Sequence, residues 1–373
     1  REIFDQLPML DVVSFTSLIG GYVQHHLGNE ALECFKQMQY DGILPDSITF
    51  LCMLKACGNL GAIETGECLH MNIVEEGLLL DRDLDIGNAL LNMYARCGYL
   101  SEMQALFDQL LSRDIVSWNA LLSGYVEYGC NETFLYFEQM QRQGFAPDAT
   151  TLVCILKACS SISITAKCQE LHIDIWRKGF LEDDLPIGNA LVDAYGKCGL
   201  LAEAKKVFNN LPNRDVVSWN VLISAYVESG DNAEVFKYYE EMQLEHLSPD
   251  AVTYSAMLRV CANIGCLEKG KGFHVEIVKM GLVDNELVNK ALVDMYIKCG
   301  CLREAQEVFE GLPLCDIVVW TSLITGYAQF GDCRSVYDSC GRMIMDGVMP
   351  NLITFFAILN VCSHSGLVNT GQS

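Results

Sequence analysis

The chain repeats itself every 101 residues. "RDIVSWNALLSGYVEYG" from Arg113, "RDVVSWNVLISAYVESG" from Arg214 and "CDIVVWTSLITGYAQFG" from Cys315 are versions of one segment, and a fainter form, "LDVVSFTSLIGGYVQHH", begins at Leu10. Trp118, Trp219 and Trp320 keep the same spacing, as do Cys97, Cys198 and Cys299 in "ARCG", "GKCG" and "IKCG". A fixed long period demands an array of small supersecondary units, each too small to bury its own apolar face and therefore stacked on its neighbours. It overrides the two or three compact domains that 373 residues would otherwise suggest.

Each period holds three helix pairs of unequal length. In residues 12–46, Ala31, Phe35 and Met38 fall at i, i+4 and i+7, an apolar stripe on one helix face. Leu18, Ile19 and Tyr22 serve an earlier helix, and Gly42 and Pro45 in "DGILPD" stop the second. The same helix, turn, helix, stop pattern recurs over 47–83, 84–114, 115–148, 149–184, 185–215, 216–250, 251–285, 286–316 and 317–351, with partial repeats at 1–11 and 352–373. The predicted fold is all-α, an α-solenoid superhelix of stacked helix-turn-helix repeats. Because both ends fall inside a repeat and the chain opens "REIFDQLP" without Met, the expectation is a piece of a longer array, any targeting peptide lying upstream.

Composition adds exclusions. No run of eighteen uncharged apolar residues is present, so no membrane span is expected. The 18 Cys follow the repeat instead of forming a disulfide framework, which reads as small buried thiols in a reducing compartment. Cys52/Cys57 and Cys154/Cys159 are spaced so as to fall on different helix faces. The net charge of −23 opposes phosphate attraction and favours a competing class, an acidic helical scaffold for protein partners.

The segments "VVSWNVLISAYVESG…EEMQLEHLSPD", "IGNALVDAYGKCGLLAEAKKVFNNLPNRD" and "AVTYSAMLRVCANIGCLEKGKGFHVEIVKMGLVDN" resemble the P, S and L variants of the pentatricopeptide repeat family. The W-x-x-L-G pattern of tetratricopeptide repeats is absent. The P-L-S order is similar to that of plant organellar RNA-editing specificity factors, and the resemblance covers essentially the whole chain. It implies a modular reader of single-stranded RNA, one base per repeat, in a mitochondrion or chloroplast. It implies no cofactor, no metal and no catalysis in this segment, and editing-complex proteins as further partners through the L repeats.

In that family the fifth residue of a repeat's first helix and the last residue of the repeat choose the base. These positions are Thr16 with Asp46, Asn88 with Asp114, Asn119 with Asp148, Asn189 with Asp215, Asn220 with Asp250, and Thr321 with Asn351. The implied target is 5′-GnUUnUUnnAn-3′. The n positions belong to L repeats, with Leu51, Val153, Ser255 and Phe356 fifth, and to the S repeat with Lys290. An Asn amide matches the N3–H and flanking carbonyls of uracil, and an amide flip would let it face cytosine too, so only partial discrimination between pyrimidines is expected. A Thr hydroxyl suits a purine edge, oriented by the terminal Asp or Asn.

The resemblance also assigns base stacking to the second residues Val13, Val116, Val217 and Val318. Eight residues beyond the readers, Arg96, Lys197 and Lys298 are candidate phosphate contacts, whereas the matching P-repeat positions hold Gln24, Glu127, Glu228 and Gln329. Other roles compete. The Asn and Asp residues suit helix caps, and the three Trp suit core anchors better than base stackers. "HVE" at 274–276 matches the H-x-E of zinc deaminases but lacks the P-C-x-x-C partner that would complete a zinc site.

Overall fold

The computed structural model describes residue 4 and residues 9–78, 84–162, 164–312 and 315–365, and every regular element among them is a helix. The chain divides into two compact units, Arg1–Cys198 and Gly199–Ser373. In the first, the pairs are α1 (Val12–Gln24) and α2 (Gly28–Tyr40), α3 (Ser47–Leu60) and α4 (Ile63–Glu75), and α5 (Leu84–Cys97) and α6 (Leu100–Gln109). They continue with α7 (Ile115–Glu127) and α8 (Glu132–Arg142), then α9 (Ala149–Ile162) and α10 (Thr165–Arg177). A single turn, α11 (Phe180–Asp183), precedes α12 (Leu185–Lys197). The second unit holds α13 (Leu201–Asn210), α14 (Val216–Ser229), α15 (Asn232–Leu244), α16 (Ala251–Ile264) and α17 (Leu267–Lys279). It closes with α18 (Glu286–Lys298), α19 (Leu302–Glu310), α20 (Ile317–Gln329), α21 (Cys333–Met345) and α22 (Leu352–Ser365). The result is an all-α helical-repeat solenoid.

First helices start where they do because an Asp precedes them. Asp46, Asp114, Asp215 and Asp250 hold extended backbone and accept the N–H of Thr49, Ser117, Ser218 and Thr253, whose hydroxyls answer the cap backbone N–H. These capping boxes satisfy donors that a helix start leaves open, each contributing about 1 kcal/mol. At the other end of α14, Gly230 turns the chain with φ +80°, a conformation that costs any side chain but glycine's.

The tryptophans are core anchors. Trp118, Trp219 and Trp320 are fully buried, each meeting the Phe of the preceding helix edge-on: Phe107 at 4.7 Å, Phe208 at 4.7 Å and Phe309 at 4.5 Å. The same contact appears in weaker form as Phe4 against Phe15. Close helix approach elsewhere depends on glycine: a Cβ at Gly270 would lie 2.5 Å from Met295 Sδ, and one at Gly66 the same distance from Met93 Sδ.

One expectation is corrected. Cys97, Cys198 and Cys299 are only half-buried; they face the carbonyls of Cys57, Cys159 and Cys261, which are among the enclosed cysteines, at 3.9, 3.9 and 4.0 Å. Burial pushes the Cys57, Cys159 and Cys261 thiols up to about 12, which keeps them protonated and unreactive. The H-x-E segment is structural. His274 Nδ1 lies 2.8 Å from the Tyr296 hydroxyl, while Glu276 accepts from Tyr239 at 2.9 Å and Tyr254 at 3.3 Å. His70 with Tyr94 and His172 with Tyr195 repeat the pairing at 2.9 and 2.8 Å. Among the described residues no helix is long and apolar enough to cross a membrane, and no His/Cys/Asp/Glu group has metal-binding geometry.

Candidate nucleic-acid interface

The fifth residue of a first helix sits one turn in from its N-terminus, where it meets the start of the next repeat's first helix. Asn119 Nδ2 donates to Asp148, 3.1 Å from Oδ1 and 3.2 Å from Oδ2. Asn220 donates to Asp250 Oδ1 at 2.9 Å, and Asn88 to Asp114 Oδ1 at 3.3 Å. Asn189 occupies the same register near the end of the first unit, and Asp215 caps α14 in the second.

A third group completes each junction. The Thr151 hydroxyl donates to Asn119 Oδ1 at 2.6 Å, the Thr253 hydroxyl to Asn220 Oδ1 at 2.6 Å, and the Ser117 hydroxyl to Asn88 Oδ1 at 2.6 Å. Each amide is thus held at both ends: its oxygen accepts a hydroxyl proton and its nitrogen faces a carboxylate. Flipping it would set oxygen against carboxylate, so the amide flip invoked for cytosine is opposed by the surroundings. One Nδ2 proton and one Oδ1 lone pair remain for a ligand. These asparagines are nearly buried, leaving 5–8% of their surface exposed.

The two threonines at this position are wired differently. Thr16 Oγ1 lies 2.6 Å from Thr49 Oγ1, and Thr49 donates to Asp46 at 2.7 Å. Thr321 donates to the Ile317 carbonyl at 2.6 Å and lies 3.2 Å from Thr354 Oγ1, which donates to Asn351 at 3.0 Å. The terminal Asp or Asn therefore reaches its Thr through an intervening hydroxyl. Sequence reasoning missed these hydroxyls as part of the site. Their signal was a Ser or Thr three residues after each terminal Asp or Asn.

Electrostatics follow the hydrogen bonds. Burial alone would raise Asp114 and Asp148, but the backbone N–H of Ser117 or Thr151, with the Asn88 or Asn119 amide, helps to outweigh it and hold both carboxyls below their ordinary value. Lys290 makes a different junction: its Nζ lies 2.6 Å from Glu286 Oε1 and 2.8 Å from Asp316 Oδ2. That lysine offsets the burial of Asp316 and keeps its carboxyl ionised below the usual range.

Around these junctions, Val13, Val116, Val217 and Val318 are 49–65% exposed, an apolar residue three positions before Thr16, Asn119, Asn220 and Thr321. In the second unit a cleft of about 340 Å³ gathers Lys298, Val318, Thr321 and Asn351 together with Asp294 and Gln329. The candidate phosphate contacts are largely spoken for. Lys197 pairs with Asp193 and Lys298 with Asp294, both at 2.9 Å, and Arg96 donates to Asn59. Glu127 and Glu228 stand exposed in the corresponding P-repeat row, as do Gln24 and Gln329. The L-repeat positions Leu51, Val153 and Ser255 are only partly covered or buried, and Phe356 is exposed.

The repeats match known families throughout. Residues 10–59, 113–161 and 214–263 match the PPR repeat family; 88–115, 189–216, 252–282 and 290–316 match the PPR repeat; and 314–365 match the pentatricopeptide repeat domain. A putative pentatricopeptide repeat-containing protein of Arabidopsis thaliana is 32% identical over 375 residues, across 100% of this chain and 54% of its own length. A second Arabidopsis pentatricopeptide repeat protein, named as chloroplastic, is 32% identical over 375 residues, across 100% of this chain and 60% of its own. The chain thus spans roughly half to three-fifths of the length of these curated relatives. Among solved structures, the pentatricopeptide repeat protein PPR10 in complex with an 18-nt psaJ RNA element superposes with a TM-score of 0.66 at 19% identity, covering 100% of this chain and 56% of that one. PPR10 from maize superposes at 0.56 with 18% identity, covering 100% and 64%. At such identity the likeness speaks for the fold. With its helix pairs, their 101-residue period and matches along most of its length, this chain belongs to the pentatricopeptide repeat family.

Proposed function

We propose that the chain reads single-stranded RNA one base per repeat, with a preference near 5′-GnUUnUUnnAn-3′, in repeats bounded at residues 46, 83, 114, 148, 184, 215, 250, 285, 316 and 351. It selects target sites for C-to-U editing or another processing step in a mitochondrion or chloroplast, the chemistry being supplied elsewhere. The observation that carries this is the recurrent junction in which an Asn amide is held between a carboxylate and a hydroxyl beside an exposed valine. A fixed amide with one free donor and one free acceptor lone pair is suited to a two-point contact with uracil, and the valine offers a face for its ring. The RNA bound to PPR10, a relative in fold, supports the same use of the scaffold.

Asn119→Thr with Asp148 kept tests the reading. Base 4 of the RNA should change preference from U to G by roughly tenfold, since a two-point base contact contributes about 1–3 kcal/mol. Unchanged preference at every base, in a folded variant, would leave a second reading. Exposed apolar pairs recur on the second helices of the L repeats, Met71 and Val74, Ile173 and Trp176, Val275 and Val278, and they favour docking of protein partners such as editing-complex components.

A further inference from the structure

The hydroxyl three residues into each first helix has an uneven distribution along the chain. It follows all six readers that are Asn or Thr: Thr49 after Thr16, Ser117 after Asn88, Thr151 after Asn119, Ser218 after Asn189, Thr253 after Asn220 and Thr354 after Thr321. It is missing at four other junctions, where Ile86, Ile187, Val288 and Val319 follow Leu51, Val153, Ser255 and Lys290. Helix capping does not account for that division. Asp184, Asn285 and Asp316 cap their helices by accepting the N–H of Ile187, Val288 and Val319, so a cap forms there without the hydroxyl.

What separates the two sets is the reader. Where the preceding repeat presents an amide or a threonine, the hydroxyl contacts it, at 2.6 Å for Asn88, Asn119, Asn220 and Thr16 and at 3.2 Å for Thr321. Where the fifth residue is Leu51, Val153, Ser255 or the lysine held by two carboxylates, and so neither Asn nor Thr, an aliphatic side chain takes the place. All five of these hydroxyl residues within a unit are essentially fully buried, so water cannot substitute for them.

We infer that the buried Ser or Thr at the third position of a first helix, in the six repeats that carry one, is a specificity-positioning residue for the base of the preceding repeat. By donating to Oδ1 it fixes which end of the Asn amide faces the nucleotide. This rests on the base-reading proposal above. The fixed amide accepts the uracil N3–H at Oδ1 and donates from Nδ2 to a flanking carbonyl. Cytosine, which presents an acceptor at N3, meets the wrong end. Without the hydroxyl the amide is held at Nδ2 alone, by the carboxylate, and the flipped form that serves cytosine becomes less costly. The base chosen by one repeat is therefore set partly by the next, and a reader transplanted alone carries only part of its selectivity.

Thr151→Val tests this, because Val319 already occupies the same position behind a working Asp cap. Binding is measured to 5′-GNUUNUUNNAN-3′ RNA and to the same RNA with C at base 4. The U-over-C ratio at base 4 should fall by roughly three- to tenfold, the worth of one hydrogen bond. The ratio at base 7, read by Asn220 with Thr253 in place, should be unchanged, and Thr151→Ser should restore base 4. If the wild type favours U at base 4 and Thr151→Val keeps the same ratio while binding both RNAs equally more weakly, the hydroxyl is only a cap and the inference fails. If the wild type has no preference at base 4, the base-reading proposal fails and this inference with it.

Discussion

At the scale of single residues, the same side chains serve the fold and the site. Asp114 and Asp148 cap helices and also orient the asparagines of the preceding repeat. This dual use makes acid stability a direct reading of the junctions. His70, His172 and His274 are held neutral by burial, with values below 6.5, so the stability they contribute is present above that value and is lost as pH falls through their lowered values. Asp114, Asp148 and Asp316 also sit below their ordinary value, so their contribution persists above about 3.9 and disappears only in stronger acid. Thermal unfolding should show a decline in Tm that begins below about pH 6.5 and steepens below about pH 4. Replacing the three histidines by Gln should flatten the first stage and leave the second. A Tm constant from pH 7 to pH 4.5 in the parent chain would contradict this. The proposed reader positions stand out in the sequence because an Asn or Thr recurs in a fixed phase. The hydroxyl partner was not, because a Ser or Thr beside a cap has a sufficient local reason to be there.

At the scale of helices, the apolar stripes announced the pairs, and Trp118, Trp219 and Trp320 identified the core seam. Helix starts were legible through Asp, since a side-chain cap is a local interaction between residues three apart. The short α11 was not, for no periodicity can register in four residues. Nor did the Cys spacing tell which thiols are enclosed, because Cys57 and Cys97 meet only when α3 and α5 pack. Glycine gives a sharp check on that packing. A Cβ at Gly326 would lie 2.6 Å from Ile297 Cγ2, so Gly326→Ala should lower stability by about 1–3 kcal/mol in urea unfolding. A Cβ at Gly272 would meet nothing within 4 Å in a helix of ordinary φ, so Gly272→Ala should raise stability by up to about 1 kcal/mol. Equal effects of the two would mean that α18 and α20 do not approach as described.

At the scale of the whole molecule, the net charge of −23 opposes phosphate attraction, and the pairing of Lys197 and Lys298 with aspartates weakens two of the three candidate phosphate contacts. The sequence displayed the three cations but not their partners, since the Asp four residues before Lys197 and Lys298 becomes a neighbour only on a helix, and Asn59 meets Arg96 only when α3 and α5 pack. Recognition should therefore rest on bases more than on backbone charge, and its salt dependence should be shallow, because each phosphate contact on a single strand adds only about 0.7 to the slope. The most direct measurement is fluorescence anisotropy of labelled 5′-GNUUNUUNNAN-3′ RNA against a scrambled RNA of the same composition, at low and moderate salt. Selective binding to the ordered sequence with a log–log slope of about −2 or shallower is the predicted result. Equal binding of both RNAs, or a steep slope shared by both, would contradict base reading by the Asn and Thr junctions.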